Sequence, residues 1–274
     1  MQHQEYFFEY KKHKLFGQYW LPEDSKAMVV LVHGMGEHSS RYADYVIPQL
    51  LEKNIGVITY DNFGHGKSGG KRGHCPSYEA LIEVIDVVYR KSKEIAGDLP
   101  VFLYGHSMGG NLVINYVMRN NGEIAGAILT SPFLRLAFQP PAWKLTMGKL
   151  FQKIAPSITL PSGLDVQAIS RVTEEVEKYK NDPLVHDKVS SNFSIPVIDA
   201  GEWAIAHASQ LEKPILLVHG TADQITDYNA SLEFAKKTDH VEFVSFDDGY
   251  HELHNDIEKE KFIKKIISWI NTKV

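Results

Sequence analysis

Short apolar runs alternate with stretches of helical periodicity over most of the chain, the pattern of an α/β protein with a mostly parallel sheet and helices on both faces. Runs at 28–32, 56–60, 101–104, 127–130, 215–218 and 241–246 read as strands. Between the second and third, Leu81, Val84, Ile85 and Val88 recur on one helical face, with Ser77 as N-cap and Gly97 as the stop. Near the C-terminus Ile263, Ile266, Ile267 and Ile270 form a second stripe, with lysines opposite. From 133 to 210 the alternation stops, and helix-like pieces are broken by Pro140, Pro141, Pro156, Pro161, Pro183 and Pro196. The division predicted is a core over 1–132 and 211–274 with a helical cap inserted at 133–210.

Within the cap, Trp143, Met147, Leu150, Phe151 and Ile154 share one helical face, while Lys144, Lys149 and Lys153 lie elsewhere. Such a helix either packs on the sheet domain or forms a lipophilic, cationic lid that touches an anionic membrane and lines an acyl tunnel. Phe133, Met147 and Phe151 are the residues expected to line that tunnel.

The chemistry is concentrated at Gly105-His106-Ser107-Met108-Gly109, between the apolar run Val101-Phe102-Leu103-Tyr104 and a helix-like stretch. A serine hydroxyl is a weak nucleophile until a base takes its proton. A sharp strand–serine–helix turn exposes it, but strains the backbone and leaves no room for side chains two residues either side. An orienting acid and a base should then follow in the order Ser, Asp, His. Asp223 directly follows the 215–218 strand, and His251 closes the loop after 241–246. Asp227 and His254 are the rivals; Asp227 is placed to cap the helix near Asn229, and His254 to line the pocket or cap the last helix. For the oxyanion hole the donors expected are the backbone N–H of Met108 and of Met35, in His33-Gly34-Met35-Gly36.

Phe63-Gly64-His65-Gly66-Lys67-Ser68 imitates a phosphate-binding loop, but that loop needs glycine where Asp61 stands. Asp61, Gly64, Gly66 and Ser68 read instead as a structural turn beside the site. No spacing of histidine and cysteine suggests a metal.

With 43% hydrophobic residues in 274, the chain can bury a large core, and Cys75, the sole cysteine, permits no internal disulfide. A net charge of −5 argues against a nucleic-acid partner. Basic residues nevertheless gather between Glu123 and Asp165, where there is no acid. Neither a signal peptide nor a spanning segment is legible, so the expected location is cytoplasmic, with peripheral membrane contact through the cap as a further expectation.

Six segments together resemble the monoacylglycerol lipases of the α/β-hydrolase superfamily: His33-Gly34-Met35-Gly36-Glu37-His38-Ser39-Ser40-Arg41-Tyr42, Asp61 with Gly64-His65-Gly66-Lys67-Ser68, Gly105-His106-Ser107-Met108-Gly109-Gly110, Asn181-Asp182-Pro183-Leu184, Gly220-Thr221-Ala222-Asp223 and His251-Glu252-Leu253-His254. The resemblance implies an α/β-hydrolase fold and cofactor-free hydrolysis of a monoacylglycerol to fatty acid and glycerol. Ser107, Asp223 and His251 would be the triad, and Met35 and Met108 the oxyanion donors. Glu37, Arg41, His106 and His254 match positions at the polar, glycerol end of the family's pocket; Glu37 and Arg41 could equally be a salt bridge that pins the loop. A carboxylesterase or lysophospholipase would use the same triad on another ester. Oligomeric state is not legible.

Overall fold

The computed structural model describes residues 1–120, 122–138 and 140–274. Its main sheet has eight strands: β1 (Gln2–Tyr10), β2 (His13–Leu21), β3 (Ala27–Val32), β4 (Ile55–Tyr60), β5 (Val101–His106), β6 (Gly126–Thr130), β9 (Ile215–Gly220) and β10 (Val241–Phe246), in the order β1-β2-β4-β3-β5-β6-β9-β10. Two further strands, β7 (Thr159–Pro161) and β8 (Lys188–Ser190), pair with each other in the insert. While β7 and β8 pair antiparallel, in the main sheet every pairing along β4-β3-β5-β6-β9-β10 is parallel. Their C-terminal ends therefore share one edge, where open α/β sheets build their sites.

The hairpin β1–β2 is an addition to the sequence reading: β2 joins β4 antiparallel, and β1 continues outward. Its alternation of aromatic and polar residues, Tyr6, Phe8 and Tyr10 against Glu5 and Glu9, carries the period-two signal of a strand with one face exposed.

Because successive strand residues face opposite ways, the sheet feeds two cores. Met28, Val30, Val32, Leu103 and Leu129 pack on one side with α2 (Tyr78–Ala96), α3 (Met108–Arg119) and α6 (Ser191–His207). Val29, Leu31, Phe102, Tyr104 and Val218 pack on the other with α1 (Val46–Leu51) and α8 (Lys259–Asn271). The stripe of α8 is buried there, at about 1.5–3 kcal/mol per isoleucine. On α2 the expected cap is formed, the Ala80 N–H donating to Ser77 Oγ at 3.1 Å, and Gly97 ends the helix at φ 61°.

Between β6 and β9 lie α4 (Ala142–Ile154), β7, α5 (Thr173–Asn181), β8 and α6. Residues Phe193, Val197, Ala200 and Ala204 of α6 are buried in the core beside α3, and the carboxamides of Asn111 and Asn115 donate to the Val197 and Ala200 carbonyls. The last helix of the insert thus packs as a core helix. α4 leans on α6 through Gly148, where an added Cβ would lie 2.8 Å from Ile195. That contact turns the apolar stripe of α4 outward: Trp143 and Ile154 are 64% and 67% exposed. Helix α7 (Tyr228–Ala235) follows β9, and Asp227 caps it by accepting from the Asn229 N–H at 2.9 Å.

Candidate active site

Ser107 stands between β5 and α3 with φ 53° and ψ −117°, the left-handed region that side chains other than glycine resist. Three hydrogen bonds hold the strained residue: its N–H donates to the Thr130 carbonyl, and its carbonyl accepts from Phe133 and Asn111. A Cβ on Gly105 would run into the Gly109 backbone, and one on Gly109 into the Val32 carbonyl, so both glycines are required by space. Because Met108 opens α3, its N–H has no partner a turn earlier.

Across the edge, the loop after β10 brings His251 to the carboxylate after β9. His251 Nδ1 donates to Asp223 Oδ2 at 2.7 Å. The same oxygen accepts from Thr226 Oγ1 at 2.9 Å and His219 Nε2 at 3.1 Å, while Oδ1 accepts from the Ile225 and Thr226 N–H groups. Burial alone would push the Asp223 carboxyl up, but the facing imidazoles and these donors hold it well below the usual carboxylate range. For His251, burial opposes the charged ring, and Asp223 more than offsets it, leaving its pKa above the ordinary histidine value. Ser107 and His251 line the same cavity. Among the described residues the hydrogen bonds of His251 run through Nδ1, and none joins it to the Ser107 hydroxyl. Such bonds commonly tighten only when substrate is bound.

The loop after β3 is fastened at several points. Gly34 N–H donates to Glu37 Oε1 at 2.6 Å, and its carbonyl accepts from His33 Nδ1 at 2.7 Å. His33 Nε2 in turn accepts from the Asn62 N–H, and burial keeps the ring neutral. Among the described residues neither the Met35 nor the Met108 N–H is spent on a protein acceptor. Asp61 holds the neighbouring turn as the sequence suggests, accepting from the Ser39 and Lys67 N–H groups, with Gly66 pressed against its carboxylate.

Two cavities meet at Met35 and Ser107. One, of about 100 Å³, is walled by apolar residues including Phe133, Leu136, Leu164, Phe193, Val197 and Ile225. The other, of about 40 Å³, mixes Glu37, His106, Asp165, Tyr179, His251 and Glu252 with Leu164, Val166, Ile169 and Ile225.

The sequence profile of the family described as Serine aminopeptidase, S33 matches residues 23–258. A monoacylglycerol lipase of Mycolicibacterium smegmatis is 31% identical, over 92% of this chain and 90% of its own length. An abhydrolase domain-containing protein of Dictyostelium discoideum is 36% identical over 93% of this chain, which spans only 27% of that relative. The crystal structure of a monoacylglycerol lipase from Paleococcus ferrophilus superimposes with a TM-score of 0.88 at 35% identity, covering 95% of this chain and 99% of that one. The chain belongs to the monoacylglycerol lipase family of α/β-hydrolases. It is a serine ester hydrolase.

Against that family's pocket, the expected residues divide. Glu37 and His106 face the smaller, mixed cavity, and Phe133 the apolar one. Arg41 does not line either: its guanidinium is consumed by Glu37 Oε2 at 2.8 Å and, bidentate, by Glu252 at 2.7 and 2.8 Å, over the Tyr179 ring. The loop-pinning reading of Glu37 and Arg41 is therefore the one with hydrogen bonds behind it. His254 lies behind the wall, stacked on Tyr42 and edge-on to His106, and it caps no helix. Burial keeps both His106 and His254 neutral. Met147 and Phe151 are corrected outright: they stand on the outward face of α4, 40% and 37% exposed, and line neither cavity. Two side chains escaped sequence reasoning. His219 braces Asp223 and accepts from Ser231 Oγ, and Glu252 is held ionised, against its burial, by Arg41. Their only sequence signal was adjacency to Gly220 and His251.

No helix among the described residues is long and apolar enough to cross a membrane.

Proposed function

We propose that the protein hydrolyses monoacylglycerols to fatty acid and glycerol through an acyl-enzyme on Ser107. The observation that carries the reading is the meeting at Ser107 of an apolar cavity, suited to an acyl chain, with a smaller mixed one whose Glu37, His106, Asp165 and Tyr179 offer hydrogen-bonding groups to a glycerol headgroup. In the first step Ser107 Oγ attacks the ester carbonyl carbon, and its proton passes to His251 Nε2. The electron pair of the C=O bond moves to oxygen, which the Met35 and Met108 N–H groups stabilise; each such donor contributes about 2.7–4 kcal/mol. Collapse expels the glycerol oxygen, which takes the proton back from His251. Water, activated by the same imidazole, then attacks the acyl-enzyme and releases the fatty acid. Asp223 remains ionised and fixes Nδ1 as the protonated nitrogen of neutral His251. No cofactor is needed.

Supporting a lipid-surface partner, the outward face of α4 joins exposed Trp143, Leu150 and Ile154 to Lys144 and Lys153, a combination that suits an anionic interface.

A substrate panel tests the reading. Monoacylglycerols should exceed lysophosphatidylcholine and short nitrophenyl esters in kcat/KM, because among the described residues the mixed cavity is lined by Asp165 and by no lysine or arginine for a phosphate, Arg41 being consumed by Glu37 and Glu252. Higher kcat/KM on the lysophospholipid would reverse the assignment.

A further inference from the structure

The insert does more than cover the site: one of its segments is fastened to the loop that carries Met35. His186 N–H donates to the Gly36 carbonyl at 2.8 Å. At Gly36 the backbone has φ 79°, and a Cβ there would collide with the His186 carbonyl, so the two stretches of chain touch without a side chain between them. Two residues on, His38 Nε2 donates to Asp182 Oδ2 at 2.8 Å, with the His38 side chain 6% exposed. The His186 ring makes a third tie, Nε2 donating to the Gly64 carbonyl at 3.1 Å while Nδ1 accepts from the Lys188 N–H. Asp182 Oδ1 meanwhile accepts from the Leu184 N–H and rigidifies its own turn. Met35 is thus suspended between a tie within its own loop, Glu37 on Gly34, and anchors from the insert on Gly36 and His38.

We propose that Asp182 and His186 are positioning residues for the oxyanion hole, and that the Met35 N–H is aligned only while the 182–188 segment is seated on the loop. Neither residue lines a cavity with Ser107, so they act through the loop and not on substrate. The Asn181-Asp182-Pro183-Leu184 motif thereby acquires a role, since Pro183 and the Asx turn hold Asp182 at the height of His38. The same ties couple any movement of the insert to the donor that stabilises the transition state.

The inference rests on ester hydrolysis with Met35 as a donor. Its test compares wild type, Asp182→Ala, Asp182→Asn, His38→Ala and the Asp182→Ala/His38→Ala double variant. Readouts are kcat and KM on p-nitrophenyl butyrate, thermal melting, and inhibition by an alkyl trifluoromethyl ketone. Ser107 Oγ adds to the carbonyl carbon of that ketone, its proton goes to His251, and the carbonyl oxygen becomes the alkoxide in the hole. Loss of a whole oxyanion donor costs about 10²–10³ in kcat, so a misaligned one should cost at least about tenfold. Asp182→Ala and His38→Ala should each lower kcat by that factor, weaken the ketone equally, and leave KM within about twofold. The double variant should lose no more than either single one, since both remove the same tie. Asp182→Asn should recover most of the loss: His38 Nδ1 has no partner among the described residues, so the ring can exchange tautomer and keep a hydrogen bond with an amide. Folded alanine variants with wild-type kcat and ketone affinity would overturn the proposal, as would a loss confined to KM. Should Asp182→Ala not fold, His38→Ala carries the same comparison. A wild type that neither turns over esters nor binds the ketone would sink the hydrolase reading itself.

Discussion

Asp223→Asn changes one atom and should nearly abolish turnover, for a reason visible in its hydrogen bonds. The Ile225 and Thr226 N–H groups both point at Oδ1, so an asparagine must place its carbonyl oxygen there and its NH₂ where Oδ2 was. That NH₂ faces His251 Nδ1, 2.7 Å away in the native structure, and forces the ring to accept there. Neutral His251 then carries its proton on Nε2 and cannot take one from Ser107. A wrong-tautomer asparagine of this kind costs about 10⁴ in kcat, or about 5.5 kcal/mol at 1.36 kcal/mol per decade. The assay is steady-state hydrolysis of a monoacylglycerol from pH 5 to 9, with folding checked by melting. KM should stay within a few-fold, because Asp223 does not line either cavity. In the wild type His251 must be neutral to act as base, so activity should fall as pH drops through a pKa above the ordinary histidine value. In the variant, the acid limb of the residual activity should move to lower pH. A folded Asp223→Asn protein retaining a tenth of wild-type kcat would refute the reasoning.

Arg41→Ala leaves Glu37 and Glu252 as uncompensated buried charges and should cost about 3–5 kcal/mol in denaturant melts. Glu252 and Asp223 both have folded pKa values depressed below their unfolded ones, so the stability they contribute is present above the ordinary carboxylate range, about 4, and lost as pH falls beneath it. Denaturant midpoints measured from pH 7 down to 3 should show that loss, and an Arg41→Met/Glu252→Gln variant should reduce it to the part that Asp223 contributes. Gly109→Ala pushes a methyl into the Val32 carbonyl and should destabilise by about 1–3 kcal/mol or more while slowing fluorophosphonate labelling. Replacing Trp143, Leu150 and Ile154 together by serine should lower sedimentation with anionic vesicles and leave hydrolysis of a water-soluble ester unchanged, since none lines a cavity.

The parallel strands β3, β4, β5, β6 and β9 were legible because each is a largely apolar run buried on both faces, β10 because its β-branched and aromatic residues recur although it is half exposed, and α2 and α8 because their stripes repeat over several turns. The residues brought together at the edge were legible for a related reason: a serine between required glycines, an acid directly after a strand and a histidine closing the next loop sit where topology leaves little choice. The β1–β2 hairpin was missed because β1 is largely exposed, with Phe7 breaking its alternation, and because β2 carries Lys14, Gly17 and Gln18 within a strand that is buried for most of its length. Met147 and Phe151 were misplaced because helical periodicity identifies an apolar face without saying what it faces. Here Gly148 packs on Ile195 and turns the stripe outward. His219, Glu252 and the ties from Asp182 and His186 lie beyond sequence reasoning of this kind, since each is defined by a partner 4 to 211 residues away.

The central claim is most directly tested by intact-mass analysis and peptide mapping after reaction with a fluorophosphonate, alongside monoacylglycerol turnover. One adduct, on Ser107, should form in the wild type, and Ser107→Ala should lose both the adduct and turnover while melting as a folded protein. An adduct on a different residue, or turnover that survives in Ser107→Ala, would contradict it.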